Sequence, residues 1–205
     1  MNEPKTRRGQ ASRGRIVEAA ADLMFTRGVR ATGLDDVLAA AGVGKGQFYH
    51  YFADKDALVH AVIARQSERM LDGQRDMLEH LDSWVAIAAW FERMVQVQEQ
   101  RACIGGCPLG SLASELADQD EAARADLVAS FDRWEGYLAA GLARMRARGE
   151  LRAEAEPAAL AAAAMASIQG GLLLTQTRKD ARALRRALDG AFAYLRIFAV
   201  GTPPR

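Results

Sequence analysis

The stretch from Thr32 to Lys55, TGLDDVLAAAGVGKGQFYHYFADK, reads as two short helices joined by a glycine turn and closed by a polar, aromatic, cationic surface. Thr32 offers a hydroxyl oxygen to the free amides of a helix start, and Asp35 and Asp36 put negative charge where the helix dipole is positive. A helix is therefore predicted to begin near residue 33 or 34. Val37, Leu38 and Ala41 form its apolar stripe, Gly42 admits the left-handed backbone that turns the chain, and Val43 plugs the turn. A second helix is predicted from about Lys45 to Tyr51, with Phe48 and Phe52 on its buried side and Lys45, Gln47, Tyr49, His50 and Tyr51 left more exposed. Tyrosines set among Lys45, Gln47, His50 and Lys55 are poorly explained by core filling. Hydroxyl and cationic groups at a helix N-terminus suit phosphate oxygens and base edges, which points to a reader of double-stranded DNA.

On the run Thr32, Val37, Ala41-Gly42-Val43, Lys45-Gly46, Phe48-Tyr49-His50-Tyr51-Phe52 and Lys55, the chain resembles the TetR family of transcriptional regulators at its N-terminal signature. The resemblance implies that the second helix enters the major groove, with Lys45, Gly46 and Gln47 nearest the bases and Thr32, Tyr49, Tyr51 and Lys55 gripping phosphates; His50 is a further candidate DNA contact. Gly44 departs from the pattern, standing where the family usually has serine or threonine. Glycine caps a helix more weakly than a hydroxyl residue, and a side-chain contact to DNA from that position is lost.

A chain of 205 residues buries a good core and lies between one domain and two. Its formal net charge of +1 argues against a general polyanion binder. Residues 1–30 nevertheless hold Lys5, Arg7, Arg8, Arg13, Arg15, Arg27 and Arg30 against Glu3, Glu18 and Asp22. Two readings stand for this excess: a basic arm toward DNA, or a solubilising tail, with Pro4, Gly9 and Gly14 arguing against order before about residue 12. No apolar secretory signal precedes it. The uncharged run Pro157 to Thr177 is long enough to span a bilayer. It is rich in alanine and carries Ser167, Gln169 and Gln176, so a buried packing helix is expected, with no membrane partner, in a soluble cytoplasmic protein.

The remaining apolar spacing predicts an all-α fold. Ile16, Ala20, Leu23 and Met24 mark a first helix closed by Gly28; Leu58, Val62, Met70, Met77 and Leu81 mark a long fourth; Trp84, Ile87, Ala88, Phe91, Met94 and Val95 mark a fifth. After Gly105-Gly106 a short sixth opens at Pro108, and Leu127, Phe131, Trp134, Leu138, Leu142 and Met145 carry a long seventh to Gly149. Two more are expected at roughly 157–178 and 180–199.

The resemblance further implies a three-helix helix-turn-helix DNA-binding domain at residues 1–54, followed by a helical effector-binding and dimerisation domain at 55–205 whose last two helices pair in a homodimer. Ala158, Ala159, Ala161 to Ala164 and Gly170-Gly171 permit close helix approach, and Leu184, Leu188, Phe192, Leu195 and Phe198 give the last helix a broad apolar stripe. Two reading helices must sit about 34–36 Å apart to engage both half-sites of an operator.

All three tryptophans, Trp84, Trp90 and Trp134, fall in the proposed effector core. Trp90, Phe91, Met94, Phe131, Trp134 and Met165 are candidates to line a pocket for a small apolar or aromatic effector, and Gln169 to orient it. For any single one of them ordinary core packing is the favoured reading, and only as a group do they argue for an apolar or aromatic effector. Cys103 and Cys107 lie in a segment, CIGGCPLGSLASEL, that resembles one recurring in a branch of TetR-like proteins. If Pro108 opens a helix, Cys107 occupies its cap, where free amides and the dipole favour thiolate and reactivity toward electrophiles or oxidants. The alternative is a pair of small apolar side chains in a tight turn. His50, His60 and His80 show no useful spacing to either cysteine for a metal, and no cofactor motif, phosphate-cradling glycine loop or nucleophile elbow is present to suggest an enzyme. The reading is a ligand-responsive DNA-binding regulator, with repression implied by the resemblance and a thiol sensor acting through Cys107 as the alternative.

Overall fold

The computed structural model describes residues 6–201, and every multi-residue element among them is an α-helix. Contacts divide the chain into two compact units, one formed by the segment up to Met70 with Pro108–Ser130, the other by Leu71–Cys107 with the segment from Phe131 onward.

The first unit contains α1 (Arg7–Arg27), α2 (Leu34–Ala41), α3 (Lys45–Tyr51), most of α4 (Lys55–Asp72), α7 (Pro108–Leu116) and the first turns of α8 (Glu121–Ala147). Ile16, Ala20, Met24, Phe48, Phe52 and Leu58 are buried there almost completely. The expectation of disorder before about residue 12 is corrected. Helix α1 begins at Arg7, where the Thr6 hydroxyl accepts from Gly9 N at 3.1 Å, and Ser12, Ile16 and Val17 are already buried. A cap worth about 1 kcal/mol and this burial outweigh the cost of about 1 kcal/mol for each of Gly9 and Gly14 in a helix. Glu3, Pro4 and Lys5 lie outside the described residues.

The second unit contains α5 (Arg75–Leu78), α6 (Trp84–Gln100), the rest of α8, α9 (Pro157–Arg178) and α10 (Arg182–Ile197). The long fourth helix expected through Leu81 is two elements, since α4 stops at Asp72 before Gly73. The assumed phase through Met70 and Met77 is also one residue out. Those two are half-buried, whereas Leu71, Leu78 and Leu81 enter the core. Glycine gives up about 1 kcal/mol of helix propensity relative to alanine, which favours the break there.

Helices α9 and α10 form the closest pair of this unit. A β-carbon on Gly171 would stand 2.8 Å from Leu184 Cδ1, so the close approach needs glycine there, while Gly170 faces open space. The buried Thr175 hydroxyl accepts from Leu184 N at 3.0 Å and satisfies one free amide of the α10 start. By length and composition α9 passes as a membrane-crossing helix, yet Leu160, Ala161, Ala164, Met165, Ile168 and Leu172 are buried inside this unit.

The apolar stripe expected to remain for a partner on α10 is largely spent within the chain. Leu184, Leu188 and Leu195 are buried, and Phe192 and Phe198 are half-buried. The apolar residues left exposed are others: Leu173 (63%) and Leu174 on α9, and Tyr194 and Ile197 (58%) on α10.

Candidate nucleic-acid interface and effector core

The α2–turn–α3 segment is assembled from local rules. Gly33 in extended backbone caps α2, and its N–H donates to Asp36 Oδ2 at 3.1 Å. At the other end Gly42 is left-handed (φ 65°, ψ 41°), and Val43 N donates back to Leu38 O at 3.1 Å, which satisfies a terminal carbonyl and reverses the chain. Val43 is half-buried at that turn. Gly44 begins α3 with no side-chain cap, its carbonyl receiving Gln47 N and Phe48 N at 3.0 and 3.2 Å.

Helix α3 is anchored by Phe48 and Phe52, rings 5.4 Å apart, and the Arg13 guanidinium lies over the Phe52 ring at 5.1 Å. Opposite this anchor Lys45, Gly46, Gln47, Tyr49 and His50 are all exposed, Tyr49 at 57%. A β-carbon on Gly44 or Gly46 would meet nothing within 4 Å, so the chain's own packing does not require glycine at either position. Lys45 pairs with Asp35 at 3.1 Å, both side chains well exposed, a contact weak enough for a group on DNA to replace.

Two expectations are corrected, and a third residue is engaged within the chain. Thr32 is completely buried, and its hydroxyl donates to Gly28 O at 2.7 Å instead of capping α2 or facing a phosphate. Tyr51 is buried, not exposed, because it follows Phe48 by three residues on the inner face of α3. Lys55 is half-buried, and its ammonium donates to Val29 O at 2.7 Å.

In the second unit Trp90 is 1% exposed, stacks on Phe91 at 5.3 Å and donates its Nε1–H to Gln74 Oε1 at 2.7 Å. Trp134 and Met165 are buried, Met94, Phe131 and Gln169 half-buried. Gln169 Nε2 lies 3.7 Å from Met165 Sδ, a weak contact that leaves the amide available. A groove of about 300 Å³ between α6 and α10 is lined by Phe91, Val95, Leu188 and Phe192 with Glu92 and Arg185, and of the seven expected effector residues it includes only Phe91. Among the described residues of this unit two side-chain polar atoms are buried without a hydrogen-bond partner, Gln98 Oε1 on α6 and Trp134 Nε1 on α8. Gln98 follows Phe91 and Met94 by seven and four residues, and Trp134 follows Phe131 by three, so each lies on the helical face of the expected aromatics. Gln98 escaped the sequence reading because a glutamine near a helix end looks like solvent-facing polarity. Its spacing from Phe91 was the available signal.

Cys103 and Cys107 are both buried thiols with no disulfide between them. They lie in a strained turn in which Ala102 and Cys103 hold φ of 50° and 56°, with Gly105 and Gly106 also at positive φ. Helix α7 opens at Pro108, as its fixed φ favours.

A family model described as bacterial regulatory proteins of the tetR family matches residues 16–62, and one described as the tetracyclin repressor-like C-terminal domain matches residues 85–191. The chain is 31% identical over 180 residues to an uncharacterised HTH-type transcriptional regulator in the lacX 3' region of Lactococcus lactis, covering 85% of this chain and 88% of that one. It is 25% identical over 188 residues, 89% and 91% of the two chains, to the HTH-type transcriptional repressor DhaR of Mycobacterium sp. strain GP1. Its fold matches the crystal structure of E. coli NemR in reduced form at a TM-score of 0.81 and 24% identity, covering 95% and 98% of the two chains. With the reading helix pair in place and its relatives regulators throughout their length, the chain belongs to the TetR family of transcriptional regulators, a helix-turn-helix DNA-binding domain followed by a helical C-terminal domain.

Proposed function

We propose that this regulator is a cytoplasmic homodimeric repressor that leaves its operator when a small apolar or aromatic effector binds. The observation that carries the reading is the outer face of α3. Lys45, Gln47, Tyr49 and His50 stand exposed on a helix anchored by Phe48 and Phe52, with Gly44 and Gly46 unconstrained by the chain's own packing. Removing side chains from an exposed helix start costs stability, and it suits close approach of a DNA backbone. In this reading Lys45, Gly46 and Gln47 meet base edges, Tyr49 and His50 meet phosphates, and residues 1–54 form the DNA-binding domain.

Residues 55–205 then carry the effector core and the dimer. Phe91, Trp134 and Met165 supply apolar walls, and the orphaned Gln98 Oε1 and Trp134 Nε1 favour an effector that presents one hydrogen-bond donor and one acceptor. Exposed Leu173, Leu174, Tyr194 and Ile197 suit the dimer contact. Repression is supported by the relative DhaR, itself a transcriptional repressor. The alternative of a thiol sensor at Cys107 is favoured by the strained turn before it and disfavoured by its burial. Footprinting of the promoter beside the protein's own gene, with and without candidate ligands, tests the reading. Protection over two half-sites that a non-covalent ligand abolishes supports it, and protection unchanged by every ligand counts against it.

A further inference from the structure

The segment joining α1 to α2 is held by side chains distant in sequence. Glu115, at the end of α7, accepts from Val29 N at 2.9 Å and from Arg30 N at 3.4 Å through one carboxylate oxygen, Oε2. Its other oxygen lies where a β-carbon on Gly28 would come to 3.0 Å, and Gly28 itself is at φ +88°. Gln119, just beyond α7, accepts from the Arg30 guanidinium. On the opposite side of the same peptide segment, Val29 O receives the Lys55 ammonium at 2.7 Å and Thr32 N at 3.3 Å, while Thr32 Oγ1 donates to Gly28 O at 2.7 Å. Val29 is therefore gripped at its N–H by an anion from α7 and at its C=O by a cation from α4. No helix of the reading pair supplies either charge.

We propose that Glu115 is a positioning residue for operator recognition, which together with Lys55 clamps the Val29 backbone and so fixes the start of α2 against which α3 is set. The segment it grips runs directly into Gly33, the cap of α2. Charge-assisted hydrogen bonds to backbone amides are among the stronger ones, and a carboxylate can hold two amides where a neutral side chain holds one less firmly. Without the clamp the segment samples other conformations, and operator affinity falls by the fraction of molecules still in the competent one. Glu115 itself carries the wrong charge to touch a phosphate, so its effect is conformational. The glycine at position 28 belongs to the same device, since its positive φ and the carboxylate beside it both exclude a side chain.

This inference rests on the α2–α3 pair being the DNA reader. Its test is titration of the full-length protein against its footprinted operator across a salt series, together with thermal melting. Wild type that binds no operator defeats the reading itself. Given wild-type binding, Glu115→Ala is expected to weaken it about tenfold, the scale of one such hydrogen bond. The loss should be similar across operator variants, with the salt slope unchanged because no phosphate contact is removed. Glu115→Gln, which keeps an acceptor oxygen, should restore affinity to within about threefold of wild type. Lys55→Met probes the clamp from its carbonyl side and decides the matter if Glu115→Ala does not fold. It should weaken binding about tenfold with the wild-type salt slope. A Glu115→Ala protein that folds and binds like wild type overturns the proposal. So does a glutamine variant as weak as the alanine one, or a Lys55→Met slope smaller by about 0.9, which would put that ammonium on a phosphate.

Discussion

Arg185 on α10 grips Glu92 on α6 as a two-pronged fork, Nη1 to Oε2 at 2.6 Å and Nη2 to Oε1 at 3.2 Å. The Arg185 hydrogen bond is the main reason the Glu92 carboxyl is held below its ordinary range. A carboxylate whose folded pKa is depressed contributes stability above its unfolded value and loses it as pH falls through the folded one. The same holds for Asp82, held down chiefly by its hydrogen bond from Arg144. Arg185→Met should therefore melt earlier than wild type at neutral pH, with the difference shrinking as pH drops below the ordinary glutamate value of about 4.3. Glu135 works in the opposite sense, because burial raises its carboxyl. It costs stability while ionised and ceases to do so as pH falls through its raised value, so Glu135→Gln should melt slightly higher at neutral pH. Melting curves across pH check both signs.

The dimer prediction follows from exposure. Leu173→Glu and Ile197→Glu place a charge where the single chain is open to water, so each should fold normally and weaken dimerisation at least about a hundredfold, roughly the 3 kcal/mol scale of an unpaired buried charge. Leu188 is 2% exposed, so Leu188→Glu should unfold the second unit instead. Sedimentation beside circular dichroism separates the two; a Leu173→Glu protein that stays fully dimeric at low micromolar concentration points to another interface.

On DNA, Gln47→Ala should change base preference at one operator position, where a lost base contact is worth about 1–3 kcal/mol. Tyr49→Phe should weaken all operator variants alike, because a lost phosphate contact carries no base information, and Lys45→Ala, like Gln47→Ala, should shift base preference. Binding isotherms over a set of operator variants distinguish these patterns, and a Gln47→Ala protein with wild-type preference removes that residue from the reading set.

Gln98→Leu and Trp134→Phe each delete a buried polar atom that has no partner. An unsatisfied buried group costs about 1–3 kcal/mol, so ligand-free Gln98→Leu should melt no lower than wild type, whereas Trp134→Phe also empties part of the indole volume and loses that advantage; the inducer that releases the operator should bind each about tenfold more weakly. Inducer titration that leaves both variants at wild-type sensitivity excludes these atoms from the effector site.

Cys107→Ser should bind the operator and still respond to that inducer. A variant that binds DNA but ignores the inducer, with a covalent mass increase at Cys107 of the intact protein, transfers the sensor role to the thiol.

Everything written in near-neighbour rules was legible along the chain. Gly42 can only be understood as a turn, Pro108 opens a helix, and the helical spacing of Phe48 and Phe52 declares a buried side whose far face carries Lys45, Gln47, Tyr49 and His50. Those signals act within a few residues, where backbone propensity and side-chain period are sufficient causes. Which polar group is spent inside was settled by packing between distant segments. Thr32 and Lys55 look available along the chain, yet both are turned onto the Gly28–Val29 backbone. Glu115 reads as solvent-facing polarity but stands 2.9 Å from an amide 86 residues earlier. In the same way Leu188 and Leu195 serve the chain's own core, and Leu173 and Ile197 are left exposed. Burial and hydrogen-bond partners depend on what arrives from distant segments, and no period in the local sequence encodes the arrival.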